Sequence, residues 1–86
     1  MFELGQTVAT TGVTEIMNEI DIAVLITRHV SGDWGDMCRE DRESNETALS
    51  SGEGRLFSSY NTPAGKVWII TEADRSVTTV LLPSEY

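Results

Sequence analysis

One cysteine, one histidine, two prolines and six lysines and arginines are all that this 86-residue chain holds of those types. The lone Cys38 excludes an intrachain disulfide and any multi-cysteine zinc cluster, and it fits a reducing interior. Six basic residues against 14 acidic ones leave a formal charge of −8. That is the wrong sign for direct binding to nucleic acid or to an anionic membrane surface, both of which need cationic side chains. The longest strongly apolar run, residues 22–26, falls far short of the roughly 20 residues that span a bilayer, and no basic segment followed by an apolar one opens the sequence. A nucleophile elbow, a Walker-type loop and a dinucleotide glycine pattern are also missing. These absences leave the expectation of one small cytoplasmic domain, residues 1–86, with no cofactor.

What is present is strand-forming sequence towards the C-terminus. Residues 66–83, KVWIITEADRSVTTVLLP, hold two runs rich in β-branched, aromatic and leucine residues around a polar insert, the composition of a hairpin. Alternation sets Trp68 and Ile70 against Val67 and Ile69, and Val77, Thr79 and Leu81 against Thr78, Val80 and Leu82. A further strand over residues 55–60 puts Leu56 and Tyr60 on one face and Phe57 on the other, and residues 61–65, NTPAG, read as a five-residue hairpin loop.

Ahead of these strands the pattern changes. Residues 2–10 read as a short edge strand. Val13, Ile16, Met17 and Ile20 then recur at helical spacing, from a start at Thr11. Asp21 is a candidate cap for a second helix, residues 22–29, in which Ile22, Leu25, Ile26 and His29 share a face. Residues 37–50 form a polar helix with a thin apolar stripe, stopped by the Gly52 and Gly54 region. The expected fold is α+β: a short N-terminal strand, two or three helices, then a three-stranded antiparallel meander with helices on one face. Its expected core is Ile16, Ile20, Leu25, Ile26, Leu56, Trp68, Ile70, Val80 and Leu82.

FELGQ and VAT near the N-terminus, RHVSGDWGD at 28–36, the Asp41, Arg42, Asn45 run, and VWIITEADRS with TTVLLP at 67–83 make the chain resemble the plasmid-related proteins. These are short proteins of bacterial mobile elements with no established activity. The resemblance covers almost the full length and implies a setting, a plasmid or integrative element with work in transfer, maintenance or countering host defence. It implies no catalytic residue.

Three constellations carry candidate chemistry. His29 with Asp33 and Asp36 supplies imidazole and carboxylate, a metal-ligand set if the loop folds back; a histidine ending a helix more often meets carbonyls and the helix dipole. Trp34, between the two glycines of Gly-Asp-Trp-Gly, is more often a lid over the small core than a ligand platform, and a lid that is partly exposed becomes an interface anchor. On the 36–46 helix Asp36, Glu40 and Glu43 line one face, with Arg39 and Arg42 beside them as i, i+4 partners of Glu43 and Glu46. In the last turn Glu72, Asp74 and Arg75 stand together, where Arg75 could grip a phosphate or carboxylate, or simply close its own turn. The favoured expectation is a non-catalytic protein-binding accessory factor that meets a basic partner surface through Asp33, Trp34, Asp36, Glu40 and Glu43. A small metal-dependent enzyme centred on His29 and a self-associating subunit, including a homodimer through an open sheet face or edge, are the alternatives.

Overall fold

The computed structural model describes residues 2–86. It is an α+β domain with the order β1 (Gln6–Ala9), α1 (Thr11–Ile16), α2 (Glu19–Val30), α3 (Arg39–Ser51), β2 (Leu56–Thr62), β3 (Gly65–Thr71) and β4 (Val77–Leu81), closed by a 3-10 turn, Pro83–Glu85. The sheet runs β1-β4-β3-β2. The expected antiparallel meander is there in β2, β3 and β4. The N-terminal strand joins it in parallel, pairing Gln6 with Val77 and Ala9 with Val80, so the sheet is mixed. A parallel neighbour needs a long crossover, and the three helices with two strands supply it.

Register shows which side chains meet the helices. Leu56, Ser58 and Tyr60 lie opposite Thr71, Ile69 and Val67, and Ile69 and Thr71 lie opposite Val80 and Thr78. On this face Val13 of α1 and Leu25 of α2 pack with Tyr60, Val67, Ile69 and Val80. A second cluster joins Trp34, Ala48 of α3 and Leu56, with Phe2, Met37 and Leu49 against it. The other face carries Phe57, Trp68, Ile70 and Leu81, and the Trp68 ring meets those of Phe57 and Tyr86 edge-on at 4.9 and 5.8 Å.

The helices differ from expectation at their ends. Thr10, not Thr11, caps α1 by accepting from the Val13 N–H, and Met17 ends it in extended backbone. Asn18 then caps α2 in place of Asp21, accepting from the Asp21 N–H at 2.8 Å. This break turns Ile16 and Ile20 outward, 38% and 75% exposed, so neither belongs to the core. Trp68 and Leu82 are half-buried, while Val13, Trp34, Tyr60, Val67, Ile69 and Leu81 are core residues the pattern did not select. The β2–β3 link is also tighter than five residues. Thr62 pairs with Gly65, leaving a turn of Pro63 and Ala64.

Candidate functional site

His29 is fully buried at the last turn of α2, under the sheet. It heads a chain of hydroxyls whose hydrogens can be ordered from one end. Thr78 donates to the Leu4 carbonyl at 2.7 Å, so its oxygen accepts from Thr71 at 2.8 Å. Thr71 has then used its hydrogen and accepts from the His29 Nε2–H at 2.9 Å. The bare Nδ1 accepts from Ser58 at 2.5 Å. One neutral tautomer therefore satisfies every member. Phe2 and Trp34 close the site edge-on, with ring centroids 5.3 and 5.7 Å from the imidazole. Burial lowers the His29 pKa to about 4. Ser58 and His29 have the composition of a nucleophile and base, but both are fully buried and the far nitrogen meets a threonine, not a carboxylate that would orient an imidazolium.

The loop after α2 is built into the fold. Asp33 pairs with Arg28 at 2.6 Å, and that hydrogen bond lowers its pKa. The Asp33 carbonyl accepts from the Tyr60 hydroxyl at 2.7 Å, and the Arg28 guanidinium sits 4.6 Å from the Tyr60 ring centre. Burial raises the Tyr60 pKa to about 12. Trp34 is 4% exposed, with its indole N–H donating to Glu46 at 2.9 Å. The expectation of a partly exposed anchor is not met, because the ring fills the gap between His29, Ala48 and Leu56. Asp36 accepts from Asn61 at 3.0 Å. His29 is committed to Ser58 and Thr71, so the structure does not bring His29, Asp33 and Asp36 together, and among the described residues no group of three or more His, Cys, Asp or Glu is placed to hold a metal ion.

On α3, Glu40 and Glu43 are exposed. Arg39 pairs with Glu43 at 3.0 Å as expected, whereas Glu46 serves Trp34 instead of Arg42. The last turn is likewise internal. Asp74 accepts from the Ser76 hydroxyl and N–H at 2.6 and 3.0 Å, which lowers its pKa. Arg75, at φ 61, donates to the carbonyls of Ala48, Gly54, Glu72 and Ala73, tying the end of α3 to the sheet. Glu72 is half-buried beside it and closes the turn through its backbone N–H to Val77.

The surface that is left without internal duties lies elsewhere. Ile16, Ile20 and Val24 (54% exposed) form an apolar ridge along the outer side of α1 and α2, with Val8 exposed on β1. Glu15, Glu19 and Asp21 are interspersed with it, all exposed. Before Arg28 the chain has four carboxylates and no lysine or arginine, so no cation of that segment offsets them. A groove of about 490 Å³ runs between α2 and the β2–β3 turn, lined by Ile16, Met17, Val24 and Pro63 with Asp21 and Arg28 among them, and another of about 400 Å³ between α2 and β1. Sequence periodicity missed the ridge because it assigned Ile16 and Ile20 to the core. The missing cations ahead of Arg28 were the signal available. Among the described residues no helix is long and apolar enough to cross a membrane.

Comparison with protein-family models, with curated proteins and with solved structures finds no match to this chain.

Proposed function

We propose that the chain is a non-catalytic accessory protein that binds a partner protein with a basic surface, acting within a mobile genetic element such as a plasmid or integrative element. The observation that carries the reading is the exposed Ile16, Ile20 and Val24 ridge set among Glu15, Glu19 and Asp21, with Arg28, one turn beyond Val24, already paired to Asp33. Scattered exposed apolar residues are ordinary, whereas exposed apolar residues one helical turn apart, with carboxylates outnumbering cations around them, suit a complementary partner. The buried His29 network supports the non-catalytic part, because its only base and hydroxyls are sealed from solvent. The mobile-element setting rests on the resemblance of RHVSGDWGD and VWIITEADRS to the plasmid-related proteins.

The test is affinity capture from a bacterial lysate with three forms of the protein: wild type, a ridge variant (Ile20→Asp, Val24→Asp) and an α3 variant (Glu40→Lys, Glu43→Lys). Retention of one protein by the wild type and the α3 variant, and its loss from the ridge variant, is the expected result. Loss from the α3 variant alone would move the docking surface to the acidic helix. Capture of nothing, with the wild type sedimenting as a dimer that the ridge variant abolishes, would replace partner binding by self-association.

A further inference from the structure

The two edges of the sheet are finished differently. On the β2 edge Phe57 pairs with the Asn45 side chain, Ser59 donates to the Trp34 carbonyl at 3.0 Å and Asp36 donates to the Ser59 carbonyl at 2.6 Å. The 34–36 segment thus acts as a short parallel strand there, with Gly35 bridged to Ser59. Among the described residues β1 has no such cover. Gln6 and Thr10 donate to Ser76 and Val80 of the β4 side at 2.9 and 3.0 Å, and by alternation Val8 also points to β4, which leaves the N–H and C=O of Thr7 and Ala9 facing outward. All four β1 residues are exposed. None is charged, none is proline and the pairing with β4 has no bulge, so of the usual devices that blunt a sheet edge only shortness, at four residues, is present.

Beside this edge lies the groove of about 400 Å³ between β1 and α2, lined by Thr7, Ala9, Ile22, Ala23 and Ile26 with Glu19 among them. Thr7 and Ala9 lie opposite Thr78 and Val80, on the helix side of the sheet. They are small, and that keeps the groove open. A strand added about 4.8 Å beyond β1 would direct every second side chain towards Ile22 and Ile26, with the others facing the opposite side.

We infer that β1 receives an extended segment of the partner protein by strand addition, a segment whose groove-facing alternate positions are apolar with a lysine or arginine among them. Main-chain bonds to Thr7 and Ala9 supply the pairing, the apolar lining selects apolar side chains on the α2 side, and Glu19, which lines the same groove, selects a cation among them. A second copy of the chain fits less well, since it would bring the same uncompensated carboxylates against themselves. The inference rests on the protein-binding reading above and names how the partner is held.

The experiment uses the full chain labelled with 15N and a capped synthetic peptide, Thr-Val-Thr-Val-Thr-Lys-Thr, whose valines and lysine share one face. Without peptide the Thr7 and Ala9 amides exchange fast with solvent while those of Val8 and Thr10 are protected. With saturating peptide, Thr7 and Ala9 exchange slows by about tenfold or more. Affinity falls by about tenfold in Thr7→Pro, which removes only an outward N–H, and in the independent variant Glu19→Lys, each checked for folding by circular dichroism. Three outcomes overturn the inference. Peptide binding that shifts Ile20 and Val24 but leaves Thr7 and Ala9 exchange unchanged would mean docking on the helix ridge, and the protein-binding reading would stand. Protection of Thr7 and Ala9 without peptide, with a doubled mass that Thr7→Pro reverses, would mean that a second copy occupies the edge. Absence of peptide binding at millimolar concentration would remove strand addition, while capture by the ridge would still be decided by the lysate experiment.

Discussion

Asn45 and Phe57 are paired as two strands would be: the Phe57 N–H donates to the Asn45 Oδ1 at 3.0 Å, and the Asn45 Nδ2 donates to the Phe57 carbonyl at 2.7 Å. The side chain of a buried helix residue thus stands in for a missing neighbour at the β2 edge. Asn45→Ala removes both bonds and leaves two backbone groups unpartnered beneath α3, so it should cost about 1–3 kcal/mol in urea denaturation. An unchanged midpoint would show that water replaces the amide at no cost. The same variant should aggregate more readily on warming, because it frees an edge the fold otherwise covers.

His29 sets the acid limit of the fold. Its folded pKa, about 4, lies below the ordinary value near 6.5, so the unfolded chain binds the extra proton first. Stability is therefore complete above about pH 6.5 and declines as pH falls towards 4, by roughly 3 kcal/mol in total. The carboxylates held low by their partners, Asp33 by Arg28, Asp74 by Ser76 and Glu85 by Thr10, are shifted in the same direction as His29 and act on stability in the same sense. Their contribution is lost only below about pH 4. Unfolding free energies at pH 7.5, 6, 5 and 4.5 should follow the histidine curve. His29→Asn, less stable at neutral pH, should lose that slope, and a wild-type profile flat from 7 to 4.5 would contradict the neutral buried imidazole.

Gly32 and Gly35 frame Trp34 but carry different constraints. Both have positive φ, 87 and 76. A Cβ on Gly32 would meet nothing within 4 Å, whereas one on Gly35 would fall 2.7 Å from the Tyr60 ring and closer still to the Ser59 carbonyl. Gly32→Ala should thus cost about 1–2 kcal/mol for the left-handed backbone alone. Gly35→Ala should cost roughly 3 kcal/mol or more, since the 34–36 segment must leave the β2 edge. Equal losses by thermal or chemical denaturation would mean that the contact with Ser59 is not needed.

The α+β class, the meander and the facing of Leu56 and Tyr60 against Phe57 were legible because a period of two survives in short strands whatever surrounds them. The parallel pairing of β1 was not, since Gln6 to Ala9 meets Val77 to Val80 across nearly the whole chain and no local pattern encodes that distance. Trp34 was legible as a lid over the core, but its place at the β2 edge was not, for a related reason. Its loop has the glycines and aspartates of a surface loop, but they serve to lay backbone along Ser59, and that requirement is visible only once β2 has an edge. Asp74 and Arg75 show the converse, residues whose ordinary role in closing a turn was the one the structure uses.

Ile20 separates the two readings of the α1–α2 segment. An unbroken helical stripe makes it a core residue beside Val13, and its loss would then cost about 2 kcal/mol or more. In the structure the Met17–Asn18 break rotates it out to 75% exposure while Val13 stays fully buried. Ile20→Ser should therefore change stability by less than about 0.5 kcal/mol, and Val13→Ala by about 2 kcal/mol. The pair of denaturation curves checks this directly. If Ile20→Ser proves neutral for folding yet weakens partner capture, the apolar side chain is kept on the surface for contact with another molecule; if it unfolds the protein, the ridge belongs to the core and the docking surface must be sought on the acidic side of α3.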